Sequence, residues 1–402
     1  MKRIISILLV MATMAGVLTG CGGTENGKTS DQQPLATTVP TPEPTPEPYE
    51  ANVLTGLKKD DDYPEGQRIA AVMVNNIETC RPQRGLSDAQ ILFEIKVEGG
   101  ISRFMALFND YNKIPEIGPI RSARDQFFRL VQPFQPLYAH IGESIVQKQL
   151  ISDYDYDEWN LDGKYDAPLS YRKEGRTNWS GKGVAIEHTA YMDGDKIADY
   201  VKRHEVDDRR NYNSTFFNFV DYRDPAYIPE GKQLEEGQDA TADRLTVRHS
   251  QSYRSRFNYN ADSGKYEMEQ WYPSVASYKP VKDENNGKQL DFDNLIVLFT
   301  EIYPYAGHEQ KDLQYAEYSW GGVGFYCYGG KIERIRWQKG APQETLRLVT
   351  FDTQEPFEIN CGTSYVTVVD NDEIPYFKWE ADENKVETSE EPVQNTFVEN
   401  ED

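Results

Sequence analysis

The distribution of apolar and polar positions predicts that the first part of the chain mixes strands with helices. Residues 69–74 form a short continuous apolar run, which is typical of a buried strand. Apolar and polar residues alternate over 91–97, and Glu98-Gly99-Gly100 leads into another apolar segment over 101–108, so these residues predict a β-hairpin with a glycine turn. A further strand is predicted over 137–142.

Three helices are predicted among these strands. The first begins at Ser122, a potential N-cap, and Asp125 stands three residues later as the return half of a capping box. The second helix is predicted over 143–151 and the third over 195–204. We therefore expect residues 51–238 to form a mixed α/β domain.

The following residues, 239–379, are predicted to form short strands separated by proline and glycine, a pattern typical of an antiparallel sandwich or barrel-like sheet. The boundary is placed at about residue 238 because residues 225–241 are polar and turn-rich. The predicted fold class is α+β, with a mixed α/β N-terminal domain and a β-rich, mainly antiparallel C-terminal domain. The strands predicted in the second domain are 244–249, 255–259, 266–271, 295–300, 324–328, 332–337, 346–351 and 365–369.

The first 20 residues have the pattern of a bacterial lipoprotein signal peptide. Lys2 and Arg3 precede an apolar stretch over 4–17, which is too short to span a bilayer. Leu18-Thr19-Gly20-Cys21 follows, and the thiol of Cys21 stands where a lipid can be attached before cleavage. We expect a mature protein that begins at Cys21 and is lipid-anchored on the extracytoplasmic face of the cell membrane. The alternative is a single N-terminal membrane anchor with an incidental cysteine.

Two segments of biased composition flank the predicted domains. Residues 21–50 carry prolines at alternate positions over 41–48, which favour an extended polyproline II tether. Residues 380–402 are strongly acidic, and we expect them to form a disordered tail. The folded body is therefore expected to stand away from the membrane on its tether.

Charge and hydropathy narrow the classes of partner. The mean hydropathy is −0.71, and no later stretch approaches the apolar length of a transmembrane helix. Removal of residues 1–20 takes the formal charge from −23 to −25. So acidic a chain disfavours nucleic acid and anionic polymers as general partners, although a local basic site can still bind an anion.

The cysteines beyond Cys21 do not have the spacing of a metal site. Cys80, Cys327 and Cys361 contain no CxxC pair and no Cys/His pattern, so the sequence predicts no metal, no cofactor and no disulfide framework. Cys327 and Cys361 fall in predicted strands, where they are either isolated buried thiols or a pair.

Arginines around the predicted first helix form the leading candidate site. Arg121 and Arg124 bracket the predicted helix start, where free backbone N–H groups favour an anion. The guanidinium fork selects planar or tetrahedral anions such as carboxylate or phosphate. Alternatively, these arginines pair internally with Glu94, Glu98 or Asp125. The candidate ligand-binding residues are Arg81, Arg103, Arg121, Ser122 and Arg124, with Arg172 as a further contributor.

A catalytic alternative centres on His140 and Ser144, which flank a predicted strand-to-helix turn. His140 would act as general base, with Ser144 or a water as nucleophile. The spacing is not a GxSxG elbow, however, and a histidine at the end of an apolar strand is commonly structural. His188, Glu94 and Glu98 are the remaining catalytic candidates, as partners of His140 or, together with it, as a His/carboxylate metal site.

Aromatic side chains are abundant, with 26 Tyr, 17 Phe and 6 Trp. Tyr and Trp supply flat amphipathic surfaces that bind sugars and peptides, but they equally fill β cores. Trp320, in a glycine-rich loop, is the aromatic residue that we most expect to be exposed.

Four motifs in the first half resemble the YerB-like lipoproteins of Gram-positive bacteria. The resemblance runs from about residue 66 to 370 and is weaker in the second half. It implies two paired domains of unknown function and an envelope location, and it brings no established activity or catalytic residue. The segments 187–191 and 321–324 depart from the family pattern. The four motifs are Met73-Val74-Asn75-Asn76, Arg81-Pro82-Gln83-Arg84-Gly85-Leu86-Ser87, Val97-Glu98-Gly99-Gly100-Ile101-Ser102-Arg103-Phe104 and Ile117-Gly118-Pro119-Ile120-Arg121-Ser122-Ala123-Arg124.

Two functions are consistent with the sequence. The first is a non-catalytic binding or scaffolding lipoprotein with an Arg-lined anion site, whose partner is a cell-wall component or an envelope protein. The alternative is a cell-envelope hydrolase or transferase that uses His140 as general base.

Overall fold

Strands from both halves of the chain build one ten-stranded mixed sheet in the structure, a computed structural model that describes residues 49–221, 234–235 and 237–381. We number strands and helices in chain order. In spatial order the strands of the large sheet are β19 (Arg347–Thr350), β18 (Lys331–Gln338), β17 (Gly322–Tyr328), β14 (Asn294–Thr300), β21 (Ser364–Asp370), β2 (Ile91–Lys96), β3 (Ser102–Phe108), β1 (Ala70–Asn75), β4 (Leu137–His140) and β5 (Asn160–Asp162).

The two halves of the chain meet within this sheet at β21. This strand pairs in parallel with β14 on one side and with β2 on the other, so that Ser364 lies opposite both Asn294 and Ile91. The mainly antiparallel strands expected for 239–379 do form, and β21 continues their sheet into the N-terminal strands. The chain from Tyr49 onward is one compact unit, and the domain boundary at 238 stays a prediction.

A second sheet is entirely antiparallel and covers one face of the first. Its strands come from the second half of the chain, as predicted, and β22 ends at Glu380, where the acidic tail was expected to begin; residues 382–402 lie outside the described residues. The strands are β9 (Arg244–Arg248), β10 (Arg254–Asn260), β11 (Lys265–Tyr272), β12 (Ser277–Pro280), β13 (Asp291–Phe292) and β22 (Lys378–Glu380).

Three small two-stranded pairs complete the β structure. The first two are antiparallel and the third is parallel. They are β6 (Tyr171–Arg172) with β7 (Ala190–Tyr191), β15 (Ile302–Pro304) with β16 (Gln314–Ala316), and β8 (Phe219–Val220) with β20 (Ile359–Asn360).

Within residues 49–221 the structure has three α-helices, close to where the sequence predicts them: α1 (Asp125–Val131), α2 (Ile145–Asp153) and α3 (Gly194–Arg203). The predicted capping box at Ser122 is wrong, because α1 begins at Asp125 after Arg124 and has no side-chain cap. Ser144 and Asp193 do cap α2 and α3, accepting from backbone N–H groups three residues on. Among the described residues, no helix combines the length and apolar character that a membrane crossing requires.

The large sheet has an apolar core on each face, because successive side chains of a strand point to opposite sides. Val72 of β1 joins Leu245 of the second sheet and Ile197 of α3 in one cluster, whereas Met73 joins Phe127 of α1 in the other. The mixed α/β and β-rich halves are thus confirmed as the fold class, and α1 is held against one face of the sheet by apolar burial and by a hydrogen bond from Gln126 Nε2 to the Lys96 carbonyl of β2.

Of the two alternatives for Cys327 and Cys361, isolated thiols or a disulfide pair, the structure has isolated thiols. Cys80 and Cys327 are buried free thiols, so Cys327 does not pair with Cys361. Burial raises the pKa of the Cys80 thiol to about 11, which keeps it protonated at neutral pH.

Candidate functional site

Three of the predicted ligand-binding arginines line one cavity of about 400 Å³, which we call the arginine pocket. Arg103 lies on β3, whereas Arg121 and Arg124 lie on the segment that leads into α1. Ser144, the N-cap of α2, also lines the cavity. The full lining is Glu98, Ile101, Arg103, Arg121, Arg124, Glu143, Ser144, Ile145, Lys311 and Leu313.

Backbone hydrogen bonds hold the two loop arginines in place. The Arg121 N–H donates to the carbonyl of Met73 at the end of β1, and the Arg121 carbonyl accepts from the N–H of Ile141. Two residues later, the Ala123 N–H donates to the Gly142 carbonyl at 2.9 Å. The segment is therefore clamped between β1 and the loop after β4, which aims both guanidinium groups at the same cavity.

Arg103 is the most unusual of these residues because its cation is buried. It is 7% exposed, and its Nη1 donates to the carbonyl oxygen of Ser122. In the described part of the chain no carboxylate lies within ion-pair distance of Arg103. Burial, reinforced by the neighbouring charge of Arg124, lowers the pKa of Arg103 to about 9. The side chain is thus a desolvated cation that lacks a counter-ion.

The other two arginines differ in how far they are neutralised. Arg124 pairs through Nε with the Glu98 carboxylate and donates from Nη1 to the Ala123 carbonyl at 2.7 Å. Among the described residues, the Arg121 side chain donates a single long hydrogen bond, 3.5 Å, to the carbonyl of Glu187, and burial lowers its pKa. The internal-pairing alternative therefore applies to Arg124, whereas Arg121 keeps its charge directed at the pocket.

The second half of the chain supplies one wall of the pocket. Lys311 and Leu313 lie in the connection between β15 and β16. The Asp312 carboxylate accepts from the Gly99 N–H at 2.7 Å, which ties this connection to the β2–β3 hairpin loop. The lining carries four basic and two acidic side chains, a formal excess of two positive charges in an otherwise acidic protein.

Two predicted binding residues have other roles. Arg81 is 1% exposed, donates to the carbonyls of Asn76 and Trp271, and lies under the ring of Tyr272. It does not line the arginine pocket. Ser122 contributes its carbonyl oxygen to Arg103 and does not cap α1, and a helix of only seven residues offers no strong dipole to an anion.

His140 and Ser144 are both engaged in structural contacts. The ring of His140 is buried, with Nδ1 3.0 Å from the Gly142 carbonyl and Nε2 2.7 Å from Asn160 Oδ1, and burial lowers its pKa. The hydroxyl of Ser144 accepts from the Gln147 N–H at 3.0 Å as a helix cap. These contacts match the structural interpretation of His140 and give the catalytic one no support.

Glu94 is a structural carboxylate in the core. It accepts from Asn76, Ser102, Ser255 and Tyr365. Because the first two donors come from the N-terminal half and the last two from the C-terminal half, Glu94 joins the halves through hydrogen bonds that sequence reasoning did not foresee.

The remaining catalytic candidates lie apart from these contacts. His188 is half-buried, and its Nδ1 lies 3.1 Å from Asn75 Nδ2. Glu98 serves as the ion-pair partner of Arg124. Within residues 49–221, 234–235 and 237–381, no three His, Cys, Asp or Glu side chains are grouped so as to hold a metal ion.

Trp320 is 87% exposed, as expected, and lines a separate groove of about 650 Å³. Arg334 and Arg336 also line this groove, but each is stacked near the ring of Phe351. Trp337, in contrast, is buried in the core, which is the structural alternative that the sequence left open for the aromatic residues.

Comparison with known proteins gives a consistent family match. Residues 54–207 match the N-terminal domain, and residues 245–366 the C-terminal domain, of a family described as "Protein of unknown function (DUF3048)". The chain is 26% identical over 288 residues to the Bacillus subtilis (strain 168) protein named "Putative lipoprotein YerB", covering 71% of this chain and 77% of that protein. The crystal structure of the YerB protein from Bacillus subtilis superimposes with a TM-score of 0.62 at 23% sequence identity, covering 80% of this chain and 96% of the other, and so has the same fold.

Proposed function

The chain belongs to the DUF3048 family, whose N- and C-terminal domains it carries in order, and on this premise we propose that it is a lipid-anchored extracytoplasmic binding protein. Its ligand carries an anionic group, carboxylate or phosphate, that binds in the arginine pocket. The partner that bears this group is a cell-wall component or an envelope protein.

The observation that carries this proposal is the buried, unneutralised Arg103. Removing a guanidinium from water without a counter-ion costs on the order of several kcal/mol. Among the described residues, the Ser122 carbonyl is the acceptor that the Arg103 guanidinium reaches, while Arg121 and Arg124 add like charge nearby. An anion in the pocket would supply the missing charge and accept from more than one guanidinium. Ionisable groups whose charge is this strongly destabilised occur more often in functional sites than in purely structural positions.

Anion binding is tested by titration calorimetry with inorganic phosphate. The protein is the chain from residue 21 onward with Cys21→Ser, which removes the lipidation site and leaves the compact unit from Tyr49 intact. We expect binding that Arg121→Gln weakens about tenfold, because one charge-assisted hydrogen bond contributes roughly 1.5–3 kcal/mol. The matched control is Arg347→Gln, which removes the same charge from an exposed position of β19 outside the pocket. Equal loss in both variants would show a non-specific charge effect and refute the site.

Lipid attachment at Cys21, which lies outside the described residues, is a separate part of the proposal. It is supported by the signal-peptide pattern and by the name of the Bacillus subtilis relative. Cells expressing the full chain are labelled with an alkyne analogue of palmitate and fractionated. We expect label in the membrane fraction, and we expect Cys21→Ala to lose the label and leave the membrane fraction; retention of the label would refute lipidation at this residue.

A further inference from the structure

A second cavity, of about 560 Å³, adjoins the arginine pocket because Glu143 and Ile145 line both. We call it the acidic cavity. Its wall comes from α2, from the residues around β5 and from α3. One short stretch of chain therefore separates a cavity with excess positive charge from one with excess negative charge. The charged residues that line the acidic cavity are Glu143, Lys148, Asp157, Asp162 and Asp166, together with His204.

Asp166 is already neutralised within the protein. Its carboxylate pairs with Arg203 at 2.7 Å and with His204 at 2.6 Å. These donors hold the pKa of Asp166 at about 2. The carboxylates of this cavity that have no such arginine partner among the described residues are therefore Glu143, Asp157 and Asp162.

Glu143 and Asp162 each have an oxygen that receives no hydrogen bond within the described part of the chain. Asp162 is 5% exposed; its Oδ1 accepts from the N–H groups of Gly142 and Lys164, at 2.6 and 2.8 Å, but its Oδ2 has no donor. Oε2 of Glu143 is likewise buried and receives no hydrogen bond from the described residues. His140 Nδ1 lies 3.7 Å from Asp162 Oδ1, not Oδ2. Lys148 lines the same cavity and its charge acts on Glu143, but among the described residues it forms no ion pair with Glu143 or Asp162. A buried carboxylate oxygen that receives no hydrogen bond raises the free energy of the folded protein. A ligand that donates hydrogen bonds to these two oxygens would remove this cost.

The unmet oxygens match an organic ammonium group better than a metal ion. A primary ammonium carries three N–H donors and can serve two carboxylates at once. Metal coordination needs a tighter group of ligands, and no such group of three acidic, His or Cys side chains exists among the described residues. Ile145, 60% exposed, lies on the wall shared by both cavities and offers an apolar contact to a hydrocarbon spacer.

We propose that the two cavities together bind one dipolar ligand, whose anionic group lies against Arg103 and Arg121 and whose primary ammonium lies against Glu143 and Asp162. This inference rests on the proposed anion site and specifies its ligand class. A ligand of this class carries an anion and an amine joined by a short flexible spacer. The spacer passes over Ile145.

The probes are ω-aminoalkyl phosphates with two to six methylene groups, each compared with the alkyl phosphate of equal length. Calorimetry on the chain from residue 21 with Cys21→Ser gives, at each length, the ratio of the affinity for the aminoalkyl phosphate to the affinity for the alkyl phosphate. Because both probes carry the same phosphate, this ratio measures the contribution of the amine. We expect at least one length at which the amine tightens binding about tenfold. In Glu143→Gln and in Asp162→Asn the ratio should fall to about one.

The control variant is Asp199→Asn, which removes a carboxylate of α3 that lines neither cavity and should keep the wild-type ratio. Glu143→Gln decides the test if Asp162→Asn disturbs folding, since Glu143 is half-buried whereas Asp162 is 5% exposed. A ratio near one at every length in the wild type, with phosphate binding that still depends on Arg121, would overturn the dipolar ligand and leave the anion site standing. Absence of any alkyl phosphate binding would overturn both.

Discussion

Replacement of Glu94 by glutamine is expected to lower the free energy of unfolding by about 2–4 kcal/mol. In the structure Glu94 is 1% exposed and all four of its donors come from side chains. Oε1 accepts from Asn76 Nδ2 at 3.1 Å and from Ser102 Oγ at 2.5 Å. Oε2 accepts from Ser255 Oγ and from the Tyr365 hydroxyl, both at 2.7 Å. The carboxylate thus receives two donors from each half of the chain.

The magnitude follows from what an amide can replace. Glutamine keeps one acceptor oxygen, but its NH₂ group would face two hydroxyl donors. Each hydrogen bond to a charged acceptor contributes about 1.5–3 kcal/mol, and a hydroxyl that turns to accept from the amide recovers about 0.5–1.5 kcal/mol. The two hydrogen bonds at the replaced oxygen account for most of the loss. The two bonds to the remaining oxygen also weaken because that oxygen is no longer charged, which brings the net loss to about 2–4 kcal/mol.

Urea denaturation followed by tryptophan fluorescence and far-UV circular dichroism measures the effect. Glu187→Gln is the matched control, because this glutamate is exposed and the change should stay within about 0.5 kcal/mol. Tyr365→Phe removes one of the four donors and should cost about 1–2 kcal/mol. Coincident unfolding midpoints for Glu94→Gln and Glu187→Gln would refute the structural role assigned to Glu94.

Three further predictions follow from individual contacts. Glu98→Gln should tighten phosphate binding about threefold to tenfold in calorimetry, because it removes the carboxylate that competes for Arg124; weaker binding would contradict this. The pKa of Asp166, held at about 2 mainly by Arg203, adds stability that is present above about pH 4 and is lost as the pH falls toward about 2. Asp166→Asn should therefore cost at most about 1 kcal/mol at pH 7, since the pair faces solvent, and the difference from wild type should vanish in acid melts. Gly194→Ala should destabilise by at least about 2 kcal/mol in thermal melts, because a Cβ there would lie 2.4 Å from a backbone carbonyl oxygen; an unchanged melting temperature would contradict that packing.

Local structure was well predicted from the sequence because it depends on near neighbours. The alternation over 91–97 and the Gly99-Gly100 turn produce β2, the hairpin loop and β3 where they were expected. The strands predicted between 244 and 369 match observed strands to within a residue or two. The predicted start of α1 was wrong. Ser122 has a side chain suited to an N-cap, but residues 121–123 are held by backbone hydrogen bonds to β1 and to the loop after β4, so α1 begins only at Asp125.

The candidate site was only partly predictable. Arg103, Arg121 and Arg124 were named from the sequence, and the structure brings them to one cavity. The contribution of Lys311 and the acidic cavity behind Glu143 could not be foreseen, because both depend on packing between distant segments. Arg81 was grouped with the site by residue type alone, and its burial against Trp271 and Tyr272 separates it from the pocket.

The sequence by itself determined the order of strands and helices, the α+β class, the family resemblance and the residue types available for binding an anion. These depend on the periodicity of side chains and on motifs within a few residues of one another. The tertiary structure decided how the halves join, since pairing of β21 with β2 brings residues about 270 positions apart into register. It also decided which charges are neutralised. Glu98 reaches Arg124, whereas Arg103 is buried and has no carboxylate partner in the described part of the chain, and only the fold sets the distances and burial that separate these two outcomes.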